Sequence, residues 1–367
     1  MKIVFCTQNL APFRMRWIDE LAKCHLVIVY HLGEYEKTLN NKYISYKPKK
    51  AIIKNNMKSS VFGLKRYNIK DIIGEDGDVY LLDGYGFFGI QELILTLFFK
   101  KIPFLMSVDG GFIKKDNLFI RYIKKFFMSR AASFFSTSGE TDRYINYYGG
   151  YKEKYRHLFS NYTSDYIEKR PTTVFEKQTI KNKLQICSGF TVISVGKFEY
   201  RKGFDLLIEA IKKLDIDVNL YLIGASDNIT YNEIIDNRIR KKIHFVKFCS
   251  QTELKEYYKA TDLMLLPTRE DIWGLVISES MANGAITVTT DKCLAGIAML
   301  PSEDIIPTNN VQAIIDIIKL YYFMPESEKI KIGQRNIEIS RQYAIDVAVK
   351  NDLKHLEEFH KENMMKF

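Results

Sequence analysis

Residues 263–284 read LMLLPTREDIWGLVISESMANG. Four apolar residues, Leu263 to Leu266, end at Pro267, which lacks the N–H that a central strand must donate. A polar loop, Thr268 to Asp271, follows. Trp273, Leu275, Val276, Ile277 and Ala282 then recur at helical spacing until Gly284 stops the helix, so a helix is predicted over Trp273 to Met281. Within it, Glu279 lies three and four residues after Val276 and Leu275 and therefore shares their apolar face. A buried carboxylate there needs a partner. Asp271, eight residues earlier, stands at the helix mouth. Two acids so placed suit hydroxyl acceptors aimed into a cleft. Equally, Asp271 suits an N-cap, and Glu279 suits a structural pair with Lys or Arg.

The chain has 367 residues, enough for two domains, with 46% hydrophobic and 27% charged residues, as in ordinary soluble globular proteins. The five cysteines are scattered without C-x-x-C spacing, and three sit in apolar, strand-like surroundings, which predicts reduced, buried thiols in a reducing compartment. The six histidines show no ligand spacing, so no metal site is expected. Met1-Lys2 leads directly into a strand, so no signal peptide is read, and the apolar run Leu93 to Phe99 is too short to span a bilayer.

Net charge is +10 and unevenly placed. Residues 1–170 hold 28 Lys and Arg against 17 Asp and Glu, and residues 171–367 hold 26 against 27. The basic half calls for an anionic partner: phospholipid headgroups, a lipid pyrophosphate or nucleic acid. No nucleic-acid recognition motif accompanies the charge. Two stretches mix basic and aromatic residues, 42–70 and Leu118 to Phe127. Each is consistent with a helix lying on an anionic membrane or with an ordinary helix, the second burying Phe119, Ile123 and Phe126.

Strand-like runs (2–6, 26–31, 79–82, 103–108, 133–136) alternate with helical stretches, which means βαβ units and a parallel sheet. Each ends in a polar or glycine loop, such as Asp83-Gly84 or Asp109-Gly110-Gly111, where ligands bind open parallel sheets. A second α/β series runs through 190–195, 219–223, 243–246, 263–266 and 285–289, and Phe175 to Leu184 reads as a helix crossing between domains. Ile337 to Met364 reads as one long amphipathic tail. The expected division is 1–170, 171–345 and a final helix, 346–367.

After the strand at 190–195 comes Gly196-Lys197-Phe198-Glu199-Tyr200-Arg201-Lys202-Gly203. Gly196 frees the backbone to turn, and Lys197, Arg201 and Lys202 stand beside a helix N-terminus, an anion site suited to pyrophosphate. A solvated basic turn is the alternative. Gly224 ends another strand. Lys247 and Phe248 lie in a loop before the helix at 252–259, and Phe248 reads as readily as a packing aromatic.

Together, Asp271-x-Trp273-Gly274-Leu275-Val276 followed by Glu279-Ser280-Met281-Ala282-Asn283-Gly284 resembles the donor-sugar signature of the retaining family 4 glycosyltransferases, with Asp where that family carries its first Glu. Gly196-Lys197 through Lys202-Gly203 resembles the same family's G-[RK]-x-x-x-x-K-G segment. The resemblance implies a GT-B fold: two facing Rossmann-like domains with a C-terminal helix crossing back to the first. It implies a retaining, metal-independent hexosyltransferase without cofactor, using a nucleotide-diphosphate sugar, by family habit a UDP-sugar. Lys197, Lys202 and Arg201 would hold the diphosphate, and Asp271 the sugar hydroxyls. Glu279 would hold the ribose, Gly196, Gly224, Lys247 and Phe248 would lie by the nucleotide, and Gly274, Leu275 and Val276 would contribute the helix N-terminus.

In the first domain, Asp109 occupies the place of a family His that faces the sugar or the acceptor; an Asp-Gly turn is the alternative. The family's Gly-Gly pair is replaced by Asn9 to Arg14, and Arg14 or Arg16 is expected to supply the missing charge. The implied acceptor is a saccharide, or a saccharide on a lipid pyrophosphate, in polysaccharide, lipopolysaccharide or capsule synthesis. The implied location is cytoplasmic, peripheral at the inner membrane face. Two rivals remain: an epimerase or phosphorylase of the same fold, and a non-catalytic partner subunit.

Overall fold

The structure is a computed structural model that describes residues 1–32, 48–55, 57–58, 64–224 and 234–364. It divides into two compact units, Met1–Asn161 with Ala344–Phe367, and Tyr162–Tyr343.

The first unit is built on β1 (Lys2–Thr7), β2 (Leu26–His31), β3 (Ile52–Asn55), a small antiparallel pair β4 (Met57–Lys58) and β5 (Arg66–Tyr67), then β6 (Val79–Asp83), β7 (Phe104–Val108), β8 (Ser133–Ser136) and β9 (Lys154–Arg156). Its main sheet runs β3-β2-β1-β6-β7-β8-β9, with every neighbouring pair parallel. Parallel strands are covered on both faces, which is why they read as unbroken apolar runs. Successive residues take opposite sides: Val4 and Cys6 join one core cluster, Ile3 and Phe5 the other. Between the strands lie α1 (Pro12–Leu21), α2 (Ile69–Gly74), α3 (Phe88–Phe99), α4 (Leu118–Met128) and α5 (Gly139–Tyr147). Pro12 opens α1 at a position where its missing N–H is not needed.

The second unit begins with α6 (Val174–Lys183) and then β10 (Phe190–Val195), α7 (Phe204–Lys213), β11 (Val218–Ile223) and β12 (Ile243–Val246). There follow α8 (Gln251–Ala260), β13 (Leu263–Leu266), α9 (Leu275–Ala282), β14 (Thr287–Thr290), α10 (Leu294–Met299), β15 (Ile305–Ile306), α11 (Val311–Phe323) and α12 (Glu326–Tyr343). The sheet order is β12-β11-β10-β13-β14-β15, again parallel throughout. The chain therefore winds outward from β10, returns, and winds out the other way from β13. Strand ends separate at such a reversal and leave a crevice beyond their carboxyl ends. The first unit reverses in the same manner between β1 and β6.

Several expectations are corrected. The helix at 174–183 does not cross between domains: Lys177 and Lys181 both pair with Asp262, at 2.9 and 2.7 Å, and tie it into the second unit. The tail over 337–364 is two helices, broken at Ala344, where the units divide. All five cysteines are free, but only Cys6 and Cys293 are buried; Cys24 and Cys187 are exposed. Phe119 is exposed rather than buried. Of the basic–aromatic stretch at 42–70, Tyr43, Tyr46, Val61 and Phe62 lie outside the described residues. Tyr67 lies within them, buried, its hydroxyl donating to the Thr7 carbonyl at 2.6 Å.

The last helix, α13 (Ile345–Met364), completes the first unit by packing Ile345, Val349, Leu356 and Phe359 into its second core cluster. Within that cluster the Asp352 carboxylate is fully buried and accepts from Trp17 Nε1 at 2.8 Å, with His157 Nδ1 at 2.9 Å. An Asp352→Ala variant strands both ring nitrogens without a partner. It is expected to lower stability by about 1–3 kcal/mol, measured as a fall in the urea midpoint.

Candidate functional site

The reversal point of the second unit gathers most of the residues singled out above. Gly196 follows β10 at φ +157°, and Gly224 follows β11 at φ +110°. A Cβ on Gly224 would come within 2.6 Å of the Gly196 carbonyl oxygen, so the two turns touch backbone to backbone. The Gly196 N–H donates to Ile223 O at 2.9 Å and the Gly224 N–H to Val246 O at 3.0 Å. These bonds step the ends of β10, β11 and β12 across the sheet. Lys247 and Phe248 sit in the loop just beyond β12, Lys247 exposed and Phe248 half-buried.

After Gly196 the chain makes a single 3-10 turn, Tyr200–Lys202, and enters α7 through Gly203 at φ +72°. Lys202 is 8% exposed, and its ammonium donates to Asp271 Oδ2 at 2.5 Å. Arg201, half-exposed, pairs with Glu199 at 2.8 Å and reaches within 3.9 Å of Asp271 Oδ1. Lys197 is exposed and enters no ion pair among the described residues. The two side chains expected to hold phosphate and sugar hydroxyls, Lys202 and Asp271, thus hold each other across 69 residues of sequence.

Asp271 does not cap α9. Its N–H donates to Lys292 O at 2.8 Å, and its carbonyl accepts from the Leu294 N–H at 3.2 Å, which stitches the loop to the segment after β14. The helix starts two residues later than the apolar spacing implies, because Gly274 takes φ +94° and a Cβ there would meet Cys293 Sγ at 2.6 Å. Burial pushes the Cys293 thiol up to about 12, with the Asp271 carboxylate adding to it. Leu275 and Val276 then form the first turn of α9, where backbone N–H groups have no intrahelical acceptor.

Glu279 is 3% exposed. Its carboxylate accepts from Tyr258 Oη at 3.0 Å and from Gln251 Nε2 at 3.3 Å, both on α8. Two of the partners that its position demands are therefore neutral donors on one neighbouring helix.

Sequence reading misses the clamp that sets the Lys202 turn. Thr268 Oγ1 and the Arg269 N–H both donate to the Arg201 carbonyl at 2.7 Å, and Arg269 Nη1 donates to the Tyr200 carbonyl at 2.7 Å. Arg269 also forms a bidentate pair with Asp205 at 2.8 and 2.7 Å and lies 3.8 Å over the Tyr200 ring. Nothing in spacing alone links 268–269 to 200–205.

In the first unit, Asp109 stands beyond β7 and accepts from Arg14 Nη2 at 2.5 Å. Arg14 also pairs with Asp83 at 3.1 Å, and Asp83 accepts from Thr7 Oγ1 at 2.6 Å. Burial works against the Arg14 charge, but Asp109 and Asp83 outweigh it and hold the guanidinium above its ordinary pKa. Burial lifts the Asp83 carboxyl, against the pull of Arg14. Arg14 is thus committed to two acids, and Arg16 donates to the Asn161 carbonyl at 2.6 Å, so neither stands as the open phosphate cation expected.

Residues 176–334 match the family model described as Glycosyl transferases group 1. Mannosylfructose-phosphate synthase of Agrobacterium fabrum is 27% identical over 156 residues, covering 38% of this chain and 34% of that protein. An uncharacterised glycosyltransferase of Methanocaldococcus jannaschii is 23% identical over 363 residues, covering 93% of each. A lipopolysaccharide core biosynthesis glycosyltransferase of Rhizobium meliloti is 32% identical over 102 residues, covering 27% of this chain and 29% of that one. The chain thus spans about a third of the first of these, most of the second and under a third of the last. Among solved structures, sucrose-phosphate synthase from Thermosynechococcus elongatus superposes with a TM-score of 0.73 at 14% identity, covering 98% of this chain and 99% of that one. Anabaena HepE in complex with UDP superposes with a TM-score of 0.71 at 15% identity, covering 98% and 100%.

Gly203 is the turn's most constrained position, because a Cβ there would lie 2.1 Å from the Pro267 carbonyl oxygen. Gly203→Ala is expected to cost about 1–3 kcal/mol through the left-handed backbone alone, and more through the clash. A lowered urea midpoint together with displaced Lys202 amide resonances checks it.

Proposed function

We propose that this chain, which belongs to the group 1 glycosyl transferases of GT-B fold, moves a sugar from a nucleoside diphosphate sugar to a saccharide or lipid-linked saccharide. The configuration is retained, no metal is used, and UDP is the nucleotide to try first. The observation that carries the reading is the Lys202–Asp271 contact. A shielded cation and an acid meet where two strand ends diverge, beside two touching glycine turns and the N-terminus of α9. An ammonium so placed can neutralise the charge that builds on a departing diphosphate, and it needs little reorganisation because the turn beneath it is clamped. Lys197, at the open end of the loop, adds a point charge without the bidentate fork of Arg.

In this reading the diphosphate takes Lys202, and the freed Asp271 carboxylate accepts from hydroxyls of the transferred sugar. First-turn amides of α9, at Leu275 and Val276, add their dipoles. Glu279 accepts from the ribose, aided by the Tyr258 and Gln251 contacts that fix its rotamer. Lys247 and Phe248 flank the base. The anomeric carbon exchanges its bond to the diphosphate oxygen for one to an acceptor hydroxyl oxygen, and that hydroxyl's proton leaves with the diphosphate. Asp109 is assigned to the acceptor. The choice of UDP is supported by HepE, which shares the fold and was solved in complex with UDP. A cell-surface glycan context is supported by the lipopolysaccharide core relative.

A UDP-sugar is expected to raise the thermal midpoint of the wild type, since a ligand bound only by the folded state stabilises it. Lys202→Met keeps the stem and removes the charge, and with Glu279→Ala it is expected to lower kcat/KM by about 100-fold or more. Sugar transfer at wild-type rate by a folded double variant would refute the donor site. Product formation from donor alone would point to an epimerase instead.

A further inference from the structure

Helix α4 is amphipathic in an unusual sense. Its C-terminal end is anchored by buried Phe127 and Met128, and its first turn is capped by Asn117 Oδ1, which accepts the Ile120 N–H at 2.8 Å. Between these fixed points the helix presents large apolar side chains to solvent: Leu118 is 84% exposed, Phe119 72% and Tyr122 67%. The last turn of α3 adds Phe99, 78% exposed, with the Phe98 ring at 5.7 Å. Arg130 joins the two groups, its guanidinium 5.0 Å from the Phe98 ring and 3.3 Å from Phe126, whose ring lies 6.4 Å from Tyr122. The result is one continuous aromatic strip across two helices. Isolated exposed apolar residues need no explanation, but a contiguous patch does.

Charge identifies what covers it. A pair of exposed lysines adjoins each end of the strip in sequence, Lys100 and Lys101 directly after Phe99, and Lys114 and Lys115 ending three residues before Leu118. The first unit holds 30 Lys and Arg against 20 Asp and Glu, while the second holds 24 against 24, so the whole net charge of +10 belongs to the unit that carries the strip. Protein interfaces are depleted of lysine around their apolar centres. Aromatic rings edged by lysine match instead the boundary of a bilayer, where rings lie at headgroup depth and ammonium groups meet lipid phosphate. No helix among the described residues is long and apolar enough to cross a membrane.

We infer that the strip formed by Phe99, Leu118, Phe119 and Tyr122, edged by Lys100, Lys101, Lys114 and Lys115, is the face by which the first unit lies on an anionic phospholipid surface. This goes beyond the transferase reading and does not require it. The full chain is mixed with sedimentable vesicles of phosphatidylcholine, with and without about one third phosphatidylglycerol, at low and high salt. The wild type is expected to sediment with the anionic vesicles at low salt and to be released as salt rises. Leu118→Ser with Phe119→Ser is expected to lower the partition coefficient about ten-fold or more, and Lys114→Gln with Lys115→Gln to flatten the salt dependence. All four positions are exposed, so an unchanged urea midpoint certifies the fold. Failure of the wild type to sediment, or sedimentation of the Leu118/Phe119 variant at the wild-type level, overturns the inference. So does a wild-type dimer that the same variant dissolves, which would make a second copy the occupant. Because no sugar donor enters the assay, each of these results leaves the transferase proposal standing.

Discussion

The ion pair between Lys202 and Asp271 is the constraint around which the second unit is arranged. Two charges so little exposed lose most of their hydration, and their mutual attraction offsets that loss only when geometry is tightly held. The fold supplies the hold from both sides. On the Lys202 side, Gly203 packs against the Pro267 carbonyl, and Thr268 and Arg269 fix the carbonyls of Tyr200 and Arg201. On the Asp271 side, backbone bonds to Lys292 and Leu294 pin the loop from behind. Apolar packing would stabilise the same space more simply, so this arrangement is better understood as keeping a strong charge ready than as a source of stability. An anion arriving at Lys202 must displace a carboxylate, and that competition favours ligands carrying more than one negative charge.

The first unit meets the same topological situation with the opposite balance. At its own reversal point one buried guanidinium serves two acids, Asp83 and Asp109, where the second unit sets one buried ammonium against one acid. These three charges are therefore acidic in sum even though the unit as a whole is basic. A site that holds one carboxylate more than it has cations favours hydroxyl donors over anions.

Much of this is legible in the sequence because parallel strands buried on both faces are written as short apolar runs. Leu263–Leu266, Phe190–Val195 and Ile243–Val246 have the same bounds in sequence pattern and in structure. Glycines with positive φ, such as Gly196 and Gly224, stand out as turns for the same backbone reason. Periodicity is silent about what meets across the fold. It gives no sign that Asp271 faces Lys202, that Glu279 turns to Tyr258, or that Arg269 clamps the loop after β10. It also places the start of α9 too early, since Trp273 is buried by the loop packing before the helix begins. Phe119 reads inward on an ordinary amphipathic helix and outward on a membrane-lying one, and local spacing cannot say which face a neighbour leaves open.

The placement of α13 bears on how the protein is made. Its side chains complete a core cluster whose other members lie in the first 160 residues, and the entire second unit intervenes. Synthesis proceeds from the N-terminus, and domains generally fold as units in that order. Here the order is inverted at the ribosome. The second unit has all its residues once Tyr343 emerges, whereas the core cluster that holds Ile3, Phe5, Leu81 and Leu105 lacks Leu356 and Phe359 until they follow. During that interval the cluster is incomplete, so the last step in forming the first unit is the docking of its final helix.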